Sequence, residues 1–524
     1  MKAFHSFAID LVRRRIHVSW LTTASCLGLA PGVGLSVLFS GSWLANSLWL
    51  ICGLLLFLLA IISRLRVMIL VAFMAGMMVG LWRGAIMRVE LTAYQSYVGQ
   101  EVRLIGTVAT DPDVGSSHLI KLRLDSAEII LQTDYDKIEN RADKLDYFEP
   151  LPGQIWVSVM VSKQDMKRSD QVEVAGTLKS GFGGFAATMS YGKLTRIEQL
   201  NETDPLRDLR DEFGDRLRSV MPSPAADLGM GILAGQKTAL PADLSQAFIV
   251  ASLTHIVVAS GYNLTILIRF ARRLFAKVSR LIALMFSGGL AIAFAAMVGF
   301  SPSMTRASLV AILSLVAWYY GRRFHPVTLL ALVAAVTVVI NPTSVWGDVG
   351  WYLSFLSFVG VIILAPLLNA YFFGERKSDD KKTPVKVKTS PLESIRQVFI
   401  ETLSAQLVAV PIIMLFMGQF SVYGMLANIL VLPLLPLVML LTFVTGLAAF
   451  ILPAVAASII AWPATQLLNY VIGVANWVAE LPSAQNEVSI SFTTCLVIYA
   501  IMFGVVLYLK AKTRYDFRSS NVVE

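Results

Sequence analysis

The sequence predicts a polytopic α-helical membrane protein, with about 12 spans, that carries one small extracytoplasmic β-barrel domain. Composition is the first observation behind this prediction. The 524 residues are 56% hydrophobic and only 15% charged, with a mean hydropathy of +0.66. A soluble domain of this length could not expose so much apolar surface. The second observation is that apolar runs long enough to cross a bilayer recur along the chain, and one long polar stretch interrupts them.

The N-terminal region, residues 1–89, is predicted to be a three-span anchor. Its apolar runs cover residues 16–39, 43–62 and 67–87. The first run is longer than the apolar part of a secretory signal. Arg13 to Arg15 precede it, and Arg64 and Arg66 follow the second run. Because basic segments stay in the cytoplasm, the N-terminus is predicted to be cytoplasmic and the third span to lead outside.

Residues 90–203 are predicted to form the extracytoplasmic β domain. Four runs alternate apolar and polar residues, as half-buried strands do, and short turn sequences separate them. These runs are VRLIGTVAT, HLIKLRLDSAEIIL, QIWVSVMV and QVEVAGTLK. The length and strand count fit a five-stranded Greek-key barrel of the OB type, a fold that often binds oligonucleotides or sugars. A β-sandwich is the alternative.

Several cations of this region are candidates for binding single-stranded DNA. In the β domain they are Arg103, Lys121, Arg123 and Lys179. A further candidate, Lys237, lies in the loop that precedes the next apolar run. Cations in a groove can follow a nucleic-acid backbone. Acidic residues are interspersed among them, however, and solvated strand faces account for the same charges.

Residues 204–245 are predicted to contain an amphipathic helix and a segment that returns to the membrane. Five apolar residues recur at helical spacing with charged residues between them. They are Leu206, Leu209, Phe213, Leu217 and Val220. Such a helix is expected to lie on the outer membrane face, or to cover the mouth of the bundle, rather than to cross the bilayer.

Residues 246–372 are predicted to be the functional core of the transmembrane region. The run at 248–268, FIVASLTHIVVASGYNLTILI, is long enough to span a bilayer but contains His255 and an SGYN break near its middle. Polar groups at membrane depth predict a site, although hydrogen bonding between helices would explain His255 equally well.

If the break borders water, it lines a pore. The candidate pore-lining residues of this run are His255, Ser260, Gly261 and Asn263. Arg306 begins a later span and is predicted to lie near the outer mouth, where a guanidinium can bind phosphate. An arginine that snorkels at a helix end is the alternative.

The remaining apolar runs complete twelve predicted spans, with both termini in the cytoplasm. A lysine-rich cytoplasmic loop, residues 373–392, separates the functional core from a C-terminal bundle at 393–524. The runs cover residues 281–299, 306–320, 327–340, 349–372, 398–420, 424–450, 451–479 and 488–509. Pro433 and Pro436 indicate that one of these spans is broken or re-entrant.

Four stretches resemble the ComEC/Rec2 family of competence proteins, inner-membrane channels for DNA uptake. In the family's order they are GILAGQKTALP, FIVASLTHIVVASGYNLTILI, SPSMTRASLVAILSLVAWYYGRR and NPTSVWGDVGWYLSFLSFVGVI. The three N-terminal spans and the sequence AGTLKSGFGGFAATMSYGKL are similar to the family's amino-terminal region.

Two departures from the family pattern change what the resemblance implies. Asn263 stands where the family usually has a second histidine, and an amide cannot titrate. The sequence ends soon after its last span, whereas many members continue into a metallo-β-lactamase-like nuclease domain. The histidines are scattered, without a clustered ligand motif for a hydrolytic metal centre. We therefore expect no metal, cofactor or catalytic residue, and expect a separate nuclease if the strand is degraded.

The resemblance implies a channel that conducts single-stranded DNA into the cytoplasm during natural transformation, in the bacterial inner membrane. The implied partners are single-stranded DNA, the lipid bilayer, a cytoplasmic helicase-like ATPase and a periplasmic or surface DNA receptor. The sequence shows no nucleotide-binding or hydrolase motif, so the driving force is expected from another protein.

Two other functions remain open from the sequence. A solute permease or exporter would be favoured by an inverted repeat. An intramembrane hydrolase would use Ser260 with His255.

Overall fold

The computed structural model describes the chain at residues 15–39, 42–92, 94–114, 119–131, 153–160, 166–198, 204–236, 240–257, 260–299, 302–322, 325–374 and 391–515. Contacts divide the chain into two compact units. The first unit contains Met1–Asp208, Gly299–Ser301 and Ser308–Asp348, and the second contains Leu209–Val298, Pro302–Ala307 and Val349–Glu524.

Helices dominate the described residues. They are α1 (Val18–Ser36), α2 (Leu48–Ser63), α3 (Met68–Thr92), α4 (Pro205–Val220), α5 (Ala225–Ala234), α6 (Ala242–Val250), α7 (Thr254–Val257), α8 (Gly261–Phe275), α9 (Arg280–Val298), α10 (Pro302–Tyr319), α11 (Pro326–Ile340), α12 (Ser344–Gly347), α13 (Val349–Val359), α14 (Ala365–Phe373), α15 (Pro391–Met417), α16 (Gly424–Val431), α17 (Leu435–Ile451), α18 (Ala454–Ala479) and α19 (Phe492–Thr513). The strands are β1 (Glu101–Val108), β2 (Asp113–Val114), β3 (Leu119–Leu131), β4 (Ile155–Met160), β5 (Gln171–Ser180), β6 (Ala187–Glu198), β7 (Gln419–Ser421) and β8 (Gln485–Glu487).

Within the described residues, eight helical segments are long and apolar enough to cross a membrane. They are Val18–Ser36, Met68–Tyr97, Arg280–Val298, Val349–Phe373, Arg396–Met417, Gly424–Ile451, Ala454–Ala479 and Phe492–Thr513. Shorter apolar helices at Leu48–Ser63, Ser303–Tyr319 and Pro326–Ile340 coincide with three further predicted spans. The protein is therefore embedded in a membrane, and the count of twelve spans stays a prediction.

The run at 248–268 is not one helix. It is divided among α6, α7 and α8, and α8 continues to Phe275. The first break contains Ser252, whose φ of 56° lies in the left-handed region that ends helices. The second precedes Gly261, the first residue of α8. Hydropathy averaging over the run hides both breaks, since the residues around them are apolar.

Glycines join α1 and α3 in the first unit. These residues are Gly28 and Gly32 on α1 and Gly76 and Gly80 on α3. A Cβ on Gly76 would lie 1.8 Å from the carbonyl oxygen of Ser25, and one on Gly28 would lie 2.0 Å from that of Phe73. The four-residue spacing in both helices is the small-residue pattern that lets membrane helices approach backbone to backbone.

The β domain, also in the first unit, is a closed five-stranded barrel. Its strands follow one another in the order β1, β5, β6, β4 and β3, and β3 pairs again with β1. Only β4 and β6 run parallel; β2 extends the edge of β3. Inward residues such as Leu104, Leu122, Val157, Val174 and Met189 form the barrel core. Closure excludes the sandwich alternative.

The four predicted strand runs correspond to β1, β3, β4 and β5, so the alternation signal is confirmed for them. The strand β6 was not among the predicted runs. Tyr191, with a φ of 57°, and shifts in register against both neighbours interrupt its period of two. Irregularities of this kind remove the alternation on which sequence-based recognition depends.

In the second unit, the short helix α5 is buried over almost its whole length and packs against α7, α9, α17 and α18. The predicted amphipathic helix is present as α4, and its Arg218 is bonded to residues at both ends of α5. The guanidinium donates to Asp227 Oδ1 at 2.9 Å and to Gln236 Oε1 at 3.1 Å. These bonds fix the position of α5 beside α4.

Candidate functional site

The broken segment places a polar turn at the start of α8. Ser260 is the N-cap, and its hydroxyl oxygen accepts a hydrogen bond from the Asn263 backbone N–H at 3.4 Å. Serine is a favoured N-cap because it satisfies a backbone donor that the helix leaves free. The Ser260 hydroxyl also donates to Asn263 Oδ1 at 3.1 Å. The predicted break therefore coincides with a capped helix start.

Asn263 is completely buried and joins α8 to α5. Its side-chain Nδ2 donates to the carbonyl oxygen of Ile232, near the end of α5, at 2.9 Å. Both ends of the amide are thus bonded, which removes the cost of burying it. In this arrangement Asn263 connects two helices, and proton transfer is beyond an amide.

Gly261 brings α8 against the second turn of α10. A Cβ at Gly261 would lie 2.9 Å from the Cβ of Ala307, closer than carbon atoms pack without displacement. The neighbouring residue, Arg306, is 3% exposed. Three short helix ends, from α5, α8 and α10, therefore meet around the candidate site.

Arg306 is a buried arginine that reaches the first turn of α13. Its guanidinium donates to the carbonyl oxygen of Gly350 at 2.8 Å and lies 5.9 Å from the centre of the Phe355 ring. A carbonyl and an aromatic face both stabilise a desolvated cation. The alternative of an arginine that snorkels to the surface does not describe this side chain. Its predicted role in a pore stays a prediction.

His255 lies on α7 and is exposed. The adjoining turn is held by the Ser421 hydroxyl, which donates to the carbonyl oxygen of Val250 at 2.6 Å. Ser260 is bonded to the side chain and the backbone of Asn263.

Four of the five candidate DNA-binding cations lie on the barrel. Arg103 on β1 is paired with Glu173 of β5 at 3.1 Å. The other three cations on the barrel are Lys121 and Arg123 on β3 and Lys179 on β5. Lys237 lies outside the described residues.

Aromatic residues accompany two of these cations. The Lys121 ammonium lies 6.0 Å from the centre of the Trp156 ring, and the Arg123 guanidinium lies 5.6 Å from that of Phe185. Sequence reasoning did not select Trp156 or Phe185. The glycine-rich SGFGGF loop, in which Phe185 is found, was the available signal.

Among the described residues, no three His, Cys, Asp or Glu side chains converge as metal ligands would. The region around α8 offers hydrogen-bonding groups and a buried cation, and the barrel offers cations beside aromatic rings.

Comparison with known proteins gives a family for this chain. No curated protein and no solved structure matches it. A family model described as "Competence protein" matches residues 232–513, more than half of the chain, including α8 and Arg306. The chain therefore belongs to the competence protein family, whose members are components of DNA uptake for transformation.

Proposed function

We propose that this protein is an inner-membrane conduit that conducts single-stranded DNA into the cytoplasm during natural transformation. The family match over residues 232–513 is the observation that carries this proposal, because it covers the broken segment and most of the predicted spans. A polyanion crosses hydrocarbon only in a wet passage lined by hydrogen-bond donors and cations.

The passage would open where α5, α8 and α10 meet. His255, Ser260, Gly261, Asn263 and Arg306 are its proposed lining. Asn263 and Arg306 are buried and bonded in the described arrangement, which we assign to a closed state of the proposed passage. Opening would separate the start of α8 from Ile232 and Ala307 and would expose these polar groups to water. Short, broken helices support this proposal, since they are found at membrane depth where backbone lines a cavity.

The barrel is proposed to be of the OB type and to receive the strand outside the membrane. Its closed five-stranded order, with one parallel pair, supports this assignment. Basic clusters between the apolar runs support cytoplasmic termini and an extracytoplasmic barrel. A periplasmic or surface receptor would deliver DNA, a cytoplasmic helicase-like ATPase would draw it inward, and a separate nuclease would degrade the other strand.

The hydrolase alternative has no support at Ser260. A nucleophilic serine needs a base within hydrogen-bonding reach. The Ser260 hydroxyl instead donates to the Asn263 side chain.

Reconstituted protein tests the conduit directly. Full-length protein in liposomes is given labelled single-stranded DNA, double-stranded DNA of the same sequence and small neutral and charged solutes. A membrane potential, positive inside, draws the polyanion inward in place of the helicase-like ATPase. Entry of single strands in preference to duplex supports the conduit. Solute flux without DNA entry would replace it by a permease, and cleavage of a substrate without flux would replace it by an enzyme.

A deletion strain tests the same function in the cell. Loss of transformation, with DNA still bound at the cell surface, is the expected result. Normal transformation in that strain would overturn the proposal.

A further inference from the structure

A row of paired residues crosses four strands of the barrel, and the member of the row on β6 is buried. Strand pairing places Lys179 of β5 opposite Thr188 of β6, Thr188 opposite Trp156 of β4, and Trp156 opposite Arg123 of β3. Adjacent strands are about 4.8 Å apart. Lys179 and Arg123 therefore flank Trp156 on one wall, at about 10 Å and 5 Å from it along the row.

The loop at 181–186 adds two aromatic rings to this wall. Phe182 and Phe185 lie at the ends of a tight turn, in which the Phe185 N–H donates to the Phe182 carbonyl oxygen at 3.0 Å. The Phe182 ring stands edge-on to Trp156, with centroids 5.3 Å apart, and lies 5.6 Å from the Phe185 ring. We call Trp156, Phe182 and Phe185 the aromatic shelf.

The shelf is accessible to a ligand. The Phe182 side chain is 54% exposed, and Trp156 and Phe185 are half-buried. Burying such rings against a partner is favourable, and exposed rings beside cations are what a surface for flat, negatively charged ligands requires. Lys121 and Arg123 lie over Trp156 and Phe185 and supply the charge.

Contacts within the first unit hold the loop in place. Gly183 has a φ of 56°, and its Cα lies 2.4 Å from where a Cβ on Gly347 would be. A Cβ on Gly184 would lie 3.2 Å from the Thr343 hydroxyl. A loop packed this closely against the α11–α12 turn presents its rings in a fixed arrangement, and such preorganisation lowers the entropy cost of binding.

We propose that the aromatic shelf, with Lys121, Arg123 and Lys179 around it, is a base-stacking site for single-stranded nucleic acid. The proposal rests on the proposed function and adds to it a site and a mode of recognition. Bases stack on Trp156 and Phe182, and the cations hold the backbone beside them. Stacking accepts every base, since each has a π face, so the site takes a strand of any sequence but not a duplex whose bases are covered.

The test compares two ligands that share a backbone. Full-length protein in nanodiscs is titrated with a labelled twelve-residue oligothymidylate and with an abasic strand of the same length, by fluorescence anisotropy. The wild-type protein is expected to bind the base-bearing strand roughly tenfold more tightly or better, as stacking of one or two bases provides. Trp156→Ala and Phe182→Ala are expected to lose that preference and leave abasic binding unchanged.

Matched variants separate stacking from charge and from folding. Tyr191→Ala removes a ring that is 69% exposed elsewhere on the barrel and is expected to change nothing. Trp156→Phe keeps a stacking face and is expected to retain the preference. Lys121→Ala is expected to weaken both ligands alike and to reduce the salt dependence of binding by about one counterion.

Two results would overturn the shelf. One is equal binding of base-bearing and abasic strands by the wild-type protein. The other is the same loss of binding in Trp156→Ala and Tyr191→Ala.

A separate experiment asks whether lipid, not nucleic acid, covers the aromatic shelf. It uses a bimane label on Phe182→Cys, in a chain whose three native cysteines are replaced by alanine. Quenching of this label by bromolipid would assign the loop to the membrane surface instead.

The liposome assay distinguishes failure of the shelf from failure of the conduit. If the wild-type protein conducts DNA but binds base-bearing and abasic strands equally, only the proposed base-stacking site is wrong. If wild-type protein binds bases at the shelf and conducts no DNA, the conduit is wrong.

Discussion

Arg306 is the one candidate cation described here that lies inside the protein. The carbonyl oxygen of Gly350 and the ring of Phe355 are among the groups that stabilise its charge. A hydrogen bond from a charged donor contributes about 1.5–3 kcal/mol, so this side chain matters for stability whether or not DNA ever reaches it.

Substitution of Arg306 should therefore lower stability as well as uptake. Arg306→Ala is expected to reduce the thermal unfolding midpoint of detergent-solubilised protein, and Arg306→Lys is expected to fall between it and wild type, because lysine keeps the charge but not the planar donor group. Arg322→Ala, at an exposed position, is the control. His255→Ala should abolish DNA entry with an unchanged midpoint. An Arg306→Ala protein as stable as wild type would contradict the packing seen here.

The contact between Gly261 and Ala307 predicts that a substitution at one position can be compensated by a substitution at the other. Gly261→Ala adds a methyl group 2.9 Å from the Ala307 Cβ and is expected to cost about 1–3 kcal/mol, as overpacking does. Ala307→Gly in the same protein is expected to restore the unfolding midpoint. Gly289→Ala, which meets nothing within 4 Å, should have no such effect. A double variant no more stable than Gly261→Ala would show that the two helices do not meet there.

At the scale of elements, the start of α4 is tied to the barrel by ion pairs within the first unit. The Arg168 guanidinium donates to Asp204 Oδ2 at 3.0 Å, and the Arg207 N–H donates to Asp204 Oδ1 at 3.0 Å. Burial alone would raise the pKa of Asp204, but these two donors outweigh it and hold the pKa below its ordinary value.

A depressed carboxyl pKa stabilises the fold at neutral pH. The contribution is complete above the ordinary pKa of roughly 3.9 and is lost as the pH falls through the lower pKa of the folded state. Asp204→Asn is expected to lower the unfolding midpoint at neutral pH, and this difference is expected to shrink as the pH falls through the folded-state pKa of Asp204. Asp208→Asn removes a half-exposed partner of Arg207 and should matter less at either pH. A constant difference between wild type and Asp204→Asn at all pH values would contradict this account.

Elements whose pattern is local were predictable from the sequence. Alternation predicted β1, β3, β4 and β5, and helical spacing predicted α4. The strand β6 was not predicted, because the positive φ of Tyr191 and the register shifts interrupt the alternation of apolar and polar residues. The breaks in the run at 248–268 were only partly visible. The SGYN sequence indicated the second, whereas the first, at Ser252, depends on how that turn packs against Gly424.

At the scale of the whole molecule, composition was sufficient to predict an embedded helical protein with one polar domain. Closure of the barrel depends on the pairing of β1 with β3 and β5 together, which no single segment encodes. The candidate site likewise depends on contacts between distant positions: Asn263 was selected for its polarity, but its bond to Ile232 was not predictable. The aromatic shelf combines β4 with the loop at 181–186 in the same way.

The distribution of basic residues predicts the orientation of the whole chain. In intact cells or right-side-out vesicles, a cysteine at the exposed Lys179 is expected to react with a membrane-impermeant maleimide, and one at Arg514 only after permeabilisation. Both cysteine variants are made in a chain whose native cysteines are replaced, so that only the introduced thiol reacts. Reaction of both positions from the same side would refute the proposed topology.

The glycine contact between α1 and α3 also determines when the first unit can assemble. These two helices run parallel and are joined in the chain by α2. If all three cross the bilayer as predicted, α1 and α3 can meet only after α3 has been inserted. Domains fold as units during synthesis, N-terminal first. The barrel therefore emerges on a helix pair that is already closed, and an alanine at Gly76 should act early, as a defect of biogenesis and accumulation rather than of nucleic-acid handling.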